Sequence, residues 1–162
     1  MTKQEMIDKL PELLLLPQET EWVEFKHNNF KPQDIGEYIS ALSNSACLHK
    51  KDNGYLVFGI EDRTKKVLGT NFKPVNEKVG NEELENWLCH LIEPRIDFKI
   101  HTFIYEEKPI VTFSIDAAHE RPVKFNGIAY IRVGTYKKNC LNIPKKSEKY
   151  GTGPLLIRLS RE

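Results

Sequence analysis

Glu19, Glu24 and Asp62 are the residues of this chain best suited to chemistry. The two glutamates lie in the run Gln18-Glu19-Thr20-Glu21-Trp22-Val23-Glu24-Phe25-Lys26, and the aspartate closes Gly59-Ile60-Glu61-Asp62. Carboxylates alone repel a phosphate. Three of them gathered at one point make a hard-oxygen site for Mg²⁺ or Mn²⁺. Such an ion lowers the pKa of a bound water and offsets charge developing at phosphorus. The candidate metal-ligating set is therefore Glu19, Glu24 and Asp62, with Mg²⁺ or Mn²⁺ as the candidate ion.

Local structure decides whether the three can meet. Val23 and Phe25 alternate with Trp22, Glu24 and Lys26, the pattern of a half-buried strand. Glu19 stands at an odd offset from Glu24 and would point the other way in one continuous strand. It joins Glu24 only from a loop entering the strand, which Pro17 favours. Asp62 follows the apolar run 55–60 and sits at a strand end. Glu21 and Glu61 read as surface neighbours.

The candidate nucleic-acid contacts are Lys26, Lys65, Lys66, Arg132, Lys137 and Lys138. Lys26 shares the outer face with Glu24. Lys65 and Lys66 lie in the turn after Asp62, and Arg132, Lys137 and Lys138 follow an Asn-Gly hairpin. If the two turns are neighbours, they form a basic rim around the acids. Trp22 and Tyr136 offer faces for a base, although Trp22 also fits packing at a domain edge.

The remaining pattern supplies the elements that position these groups. Thr2-x-x-Glu5 is a capping box opening a short helix with Met6, Ile7 and Leu10 on one side, and Pro11 and Pro17 break the segment. Pro32 starts a second helix whose apolar stripe is Ile35, Tyr38, Ile39, Leu42 and Ala46, ending near Leu48. A central strand covers 55–60, and the turn 62–66 leads to a short strand at Val67-Leu68. Asn81 is placed to cap a third helix with Leu84, Trp87, Leu88 and Leu91 buried. Cys47 and Cys89 fall near buried helix faces. Two alternating strands follow, around 96–104 and 111–115, joined at 106–109. Asn126-Gly127 then links 123–125 to 128–133 as a hairpin. This order predicts an α+β fold, a two-layer sandwich with a mixed, largely antiparallel sheet and about three helices.

The chain of 162 residues suits one domain with a real core. With 24 basic and 23 acidic residues, it lacks the excess charge to coat nucleic acid indiscriminately, so binding needs a local patch. Three scattered cysteines form no zinc spacing or disulfide framework and suit a cytoplasmic setting. No run is long enough to span a membrane, and no signal-peptide stretch opens the chain. There is no Gly-x-x-x-x-Gly-Lys-Ser/Thr loop. The segments expected are an N-terminal helical part over 1–16, a main domain over 17–143, and a flexible tail over 144–162 that reads as a linker to a missing C-terminal domain, a truncation or an altered reading of a longer protein.

The run Glu-x-x-x-x-Glu-Phe-Lys, the helix Ile-Gly-Glu-Tyr-Ile-Ser-Ala and the strand Gly-Tyr-Leu-Val-Phe-Gly-Ile-Glu-Asp together resemble the Schlafen-type AlbA-like domain. Val67-Leu68-Gly69-Thr70, Gly80-Asn81-Glu82-Glu83-Leu84 and Tyr130-Ile131-Arg132-Val133-Gly134 extend the resemblance over roughly residues 15–140. It implies a DNA-binding domain of bacterial transcriptional regulators, some of them helicase-related. In the animal branch the matching acids cleave RNA with a metal, and these fall on Glu19, Glu24 and Asp62. That branch has a short Asn-Thr-x-Gly-Gly segment where this chain has the longer run from Asn44 to Gly54. A longer loop beside the acids weighs against cleavage.

Three readings follow. The first is a nucleic-acid-binding domain, for DNA above all, of a transcriptional regulator, binding through basic turns. The second is a divalent-metal-dependent endoribonuclease acting on structured RNA through the three carboxylates. The third is a protein-interaction or dimerisation module, as a homodimer.

Overall fold

The computed structural model describes residues 1–134 and 136–139. The tail expected over 144–162 lies outside them, and so does Cys140. Thr2 caps α1 (Lys3–Leu14) as the capping box requires: its Oγ1 accepts from Glu5 N, and Glu5 Oε1 accepts from Thr2 N, both at 3.1 Å. The break expected at Pro11 does not occur, and the helix runs through it. An internal proline costs about 3 kcal/mol. Leu10 and Leu13 flank it and are fully buried, and each contributes roughly 1.5–3 kcal/mol, enough to hold the last turn.

The chain continues as β1 (Val23–Lys26), α2 (Pro32–Leu48) with its proline in the first turn, and β2 (Asn53–Phe58). A single bridge between Ile60 and Val67 closes the turn after β2. A small hairpin of β3 (Lys78–Val79) and β4 (Glu82–Glu83) precedes α3 (Leu84–Leu91). Asn81 therefore sits in the hairpin turn, not at the helix cap; Glu83 takes the cap position without a side-chain hydrogen bond. On α3, Leu84 and Leu88 are buried, whereas Cys89 is exposed and not a core residue.

Then come β5 (Ile92–Glu93), β6 (Phe98–Tyr105), β7 (Lys108–Asp116), β8 (Lys124–Phe125), β9 (Ile128–Val133) and β10 (Tyr136–Asn139). The Asn126-Gly127 turn has positive φ at both residues, 51° and 81°, as a tight hairpin demands.

The first sheet has the order β1-β2-β7-β6, with β1 and β2 parallel and the other pairs antiparallel. The strand expected to be central, β2, is central. The second sheet, β10-β9-β8-β5, is antiparallel. The fold is α+β, as the sequence predicts. Helix α1 covers one face of the first sheet through Met6, Leu10 and Leu13, against Val23, Phe25, Tyr55 and Val57. Helix α2 packs Ile35, Ile39 and Leu42 into a core with Leu56, Phe58 and Phe113 of the first sheet and Phe125 and Ile131 of the second.

Helix α2 is buried nearly all round, including Ser40, Ser43, Asn44 and Ser45. Buried polar groups need partners, and here the partners are backbone. Asn44 Nδ2 donates to Val123 O at 2.9 Å and Tyr130 O at 2.8 Å, while its Oδ1 accepts from Val123 N at 2.8 Å. Ser40 Oγ donates to Val123 O at 2.7 Å and accepts from Tyr130 N. Ser45 Oγ accepts from Arg132 N at 3.0 Å. These bonds fix β9 against α2, and so fix Arg132.

Candidate nucleic-acid interface and acidic site

Glu24 and Lys26 leave β1 on the face turned to α2, opposite Val23 and Phe25, as the alternation requires. Glu24 is only 5 % exposed. A lone buried carboxylate is costly, and Arg132 of β9 is its partner: Nη1 stands 3.1 Å from Glu24 Oε2. The guanidinium is also tied to backbone, from Nη1 to Val23 O at 2.5 Å and from Nη2 to Gly134 O at 2.9 Å. The pairing is incomplete. Glu24 Oε2 has no formed hydrogen bond, and neither has Arg132 Nε. Burial pushes the Glu24 carboxyl above its ordinary value, and Asp62 adds to that push, against the opposing charges of Arg132, Lys26 and Lys65. Glu24 and Asp62 are thus in electrostatic range of each other.

Asp62 lies in the turn after β2. Gln18 Nε2 donates to its Oδ2 at 3.0 Å, and Lys65 Nζ donates to Gln18 Oε1 at 2.9 Å. Lys65 also donates to the Asp62 carbonyl, stands 3.7 Å from its Oδ1, and caps the Phe25 ring at 4.8 Å. The loop entering β1 therefore touches the Asp62 turn, as the Glu19 argument needed. Glu19 itself is exposed. Among the described residues, no three His, Cys, Asp or Glu side chains come together as a set able to hold a metal. Glu24 already faces a fixed cation. As they stand, the three acids do not fit a divalent ion.

The six basic candidates divide. Arg132 is 2 % exposed, with its guanidinium turned inward to Glu24 and two carbonyls. That placement removes it from a phosphate-facing rim. Lys137 is held by Glu37 at 2.7 Å and Asp34 at 3.0 Å. Burial works against its charge, but these two hydrogen bonds outweigh it and raise its pKa. Lys65 is held by Asp62 and Gln18. Lys26 lies over the Tyr38 ring at 5.0 Å, with Lys137 at 4.7 Å from the same ring. Burial, then the charge of Glu24, pushes the Tyr38 phenol up to about 12. Lys66 and Lys138 are exposed.

Glu21, read from sequence as a surface residue, is buried at 9 % exposure. Its Oε2 accepts from Gly134 N at 2.6 Å, and its Oε1 lies 2.9 Å from His49 Nε2. It ties the β9–β10 turn to the end of α2. The strand β10 was not foreseen, and without it nothing in the sequence marks Glu21 as buried. The long segment after Asn44 is also partly helix, since α2 continues to Leu48. Its loop meets Glu21 and Trp22, not Asp62.

The chain matches the family described as Schlafen, AlbA_2 over residues 19–141, and it belongs to that family. It is 30% identical over 99 residues to an uncharacterized ATP-binding protein, UU034, of Ureaplasma parvum serovar 3. That match spans 59% of this chain and about a quarter, 26%, of the relative. Two solved structures are similar at a TM-score of 0.47. One is the DIP2311 protein of Corynebacterium diphtheriae, at 17% identity over 85% of this chain and 26% of that one. The other is the N-terminal domain of a RecG-related protein from Nitrosomonas europaea, at 16% identity over 91% of this chain and 97% of that one. Among the described residues, no helix is long and apolar enough to cross a membrane.

Proposed function

We propose that this domain binds nucleic acid, DNA above all, as the recognition module of a transcriptional regulator, and does not cleave what it binds. Membership of the AlbA_2 family supports the nucleic-acid part. One observation carries the absence of cleavage: Glu24, the acid central to any metal chemistry here, is closed into the core against Arg132. Contacts to phosphate come from Lys26, Lys66 and Lys138, and they are few. Binding is therefore modest and weakens with salt.

A second reading, the divalent-metal-dependent endoribonuclease, is favoured by the Gln18–Asp62 hydrogen bond, which draws the Glu19 loop to the Asp62 turn. Labelled transfer RNA, single-stranded DNA and duplex DNA, each incubated with the protein with and without Mn²⁺, separate the readings. Retarded migration without cleavage supports binding. Cleavage that stops in chelator and in Asp62→Asn supports the nuclease. No retardation at low salt favours the interaction or dimerisation module.

A further inference from the structure

The acids take up Lys65, Lys137 and Arg132, so the rim expected from sequence has few cations left for a ligand. A second basic surface lies at the other end of the parallel β1–β2 pair. There α1, the entry to β1 and the loop after α2 enclose a groove of about 410 Å³. Trp22 and Tyr55 give it aromatic walls, Lys9, Lys50 and Lys51 give it positive charge, and Glu12 and Asp52 are the two acids in its lining. Glu12 pairs with Lys9 at 3.0 Å. Lys50 and Lys51 are exposed and have no ion pair among the described residues. Lys51 Nζ lies 4.9 Å from the centre of the Trp22 ring, and the His49 ring is tilted against the same indole at 5.2 Å.

We infer that this groove is a subsite for one unstacked base of a single strand, with Trp22 as the stacking platform and Lys50 and Lys51 on the adjoining phosphates. The inference rests on the nucleic-acid reading above and places part of the contact surface. The volume falls in the range of small-ligand sites. Relative strengths favour exchange at the indole. An exposed lysine over a ring contributes about two- to fivefold in affinity, whereas a stacked base contributes roughly five- to 150-fold. A base arriving on Trp22 therefore displaces Lys51, which is left free to meet a phosphate.

The loop that carries these lysines follows the C-terminal end of α2. Helix α2 ends with Lys51 N donating to Ala46 O at 2.8 Å and Lys50 N donating to Cys47 O at 3.1 Å. This closure places Lys50 at φ 58°, a conformation that suits glycine. A lysine there points outward beside the groove at a local conformational cost. A duplex keeps its bases stacked and presents none to Trp22, so the subsite favours single strands.

The chain has two tryptophans, and Trp87→Phe leaves Trp22 as the one fluorophore. Fluorescein-labelled decamers of deoxythymidylate and of uridylate are titrated against this protein, reading anisotropy for binding and indole emission for contact. Saturable quenching of Trp22 by one or both decamers is expected, with little quenching by a duplex. The two decamers show whether the sugar matters. Trp22→Leu should weaken binding at least fivefold, and Lys50→Ala with Lys51→Ala roughly tenfold. Both lysines are exposed, so that double variant tests the groove even if Trp22→Leu fails to fold. Anisotropy binding with Trp22 unquenched and the lysine variant within twofold of the parent would overturn the subsite while leaving nucleic-acid binding in place. Equal quenching by duplex would overturn the single-strand assignment. No anisotropy change with decamers or duplex at low salt would remove both ideas.

Discussion

Arg132 and Glu24 meet inside the protein, Nη1 to Oε2 at 3.1 Å, with both residues almost closed from solvent. The pair connects β9 of the second sheet to β1 of the first. Because Arg132 also donates to Val23 O and Gly134 O, its loss leaves a buried carboxylate and two carbonyls without a partner. Arg132→Met is expected to destabilise the fold by about 3–5 kcal/mol. Glu24→Leu added to it should recover part of that loss, because it removes the uncompensated charge. Urea midpoints of the single and double variants check this.

Acidification should favour the Glu24 environment. The folded-state carboxyl lies above its ordinary value of 4.5 because burial penalises the charged form. The folded state therefore binds this proton more tightly than the unfolded chain. The stabilising contribution is fully present below 4.5 and is lost as pH rises through the folded value. The stability of the parent relative to Glu24→Gln should increase as pH falls through that window. Urea unfolding of both proteins at a series of pH values measures the difference, and a difference that stays flat counts against the burial argument.

Lys50→Gly should stabilise the protein by about 0.5–1 kcal/mol. The residue holds φ 58° at the end of α2, where lysine meets a steric cost that glycine avoids, partly offset by the freedom glycine has when unfolded. The same change should weaken binding of a deoxythymidylate decamer. Thermal unfolding and anisotropy together test whether stability and binding trade against each other at this position.

Gly36→Ala should be destabilising by about 1–3 kcal/mol. A Cβ at Gly36 would come within 2.2 Å of the Phe125 ring, and that ring is packed against Trp87 with centroids 5.6 Å apart. The ring has little room to yield. A urea midpoint equal to that of the parent would show that α2 and β8 can separate at low cost.

Periodicity made most of the elements legible. The stripe of α2, the alternation of β1 and the Asn126-Gly127 turn are local signals, and each stands where it was expected. The central place of β2 followed from its apolar composition. Charge pairing was not legible, because it depends on residues far apart in the chain. Arg132 reaches Val23 across 109 positions and Gly134 reaches Glu21 across 113. An arginine in a late hairpin therefore reads as a surface cation until β9 is placed against α2. Glu21 reads as solvated for the same reason. Pro11 misled in another way: tertiary burial of its neighbours outweighs the local penalty.

The central claim is that this domain holds nucleic acid electrostatically and without a metal. Its most direct test is a salt titration of decamer binding by anisotropy, carried out in excess chelator. With about five phosphate contacts, from Lys26, Lys50, Lys51, Lys66 and Lys138, log affinity should fall against log salt with a slope of roughly −3.5 on a single strand. Lys66→Ala with Lys138→Ala should flatten that slope by about 1.4, while Lys65→Ala with Lys137→Ala should leave it unchanged, since Asp62, Asp34 and Glu37 already hold those lysines. Binding that vanishes in chelator, or a slope set by Lys65 and Lys137 instead of Lys66 and Lys138, would contradict the account.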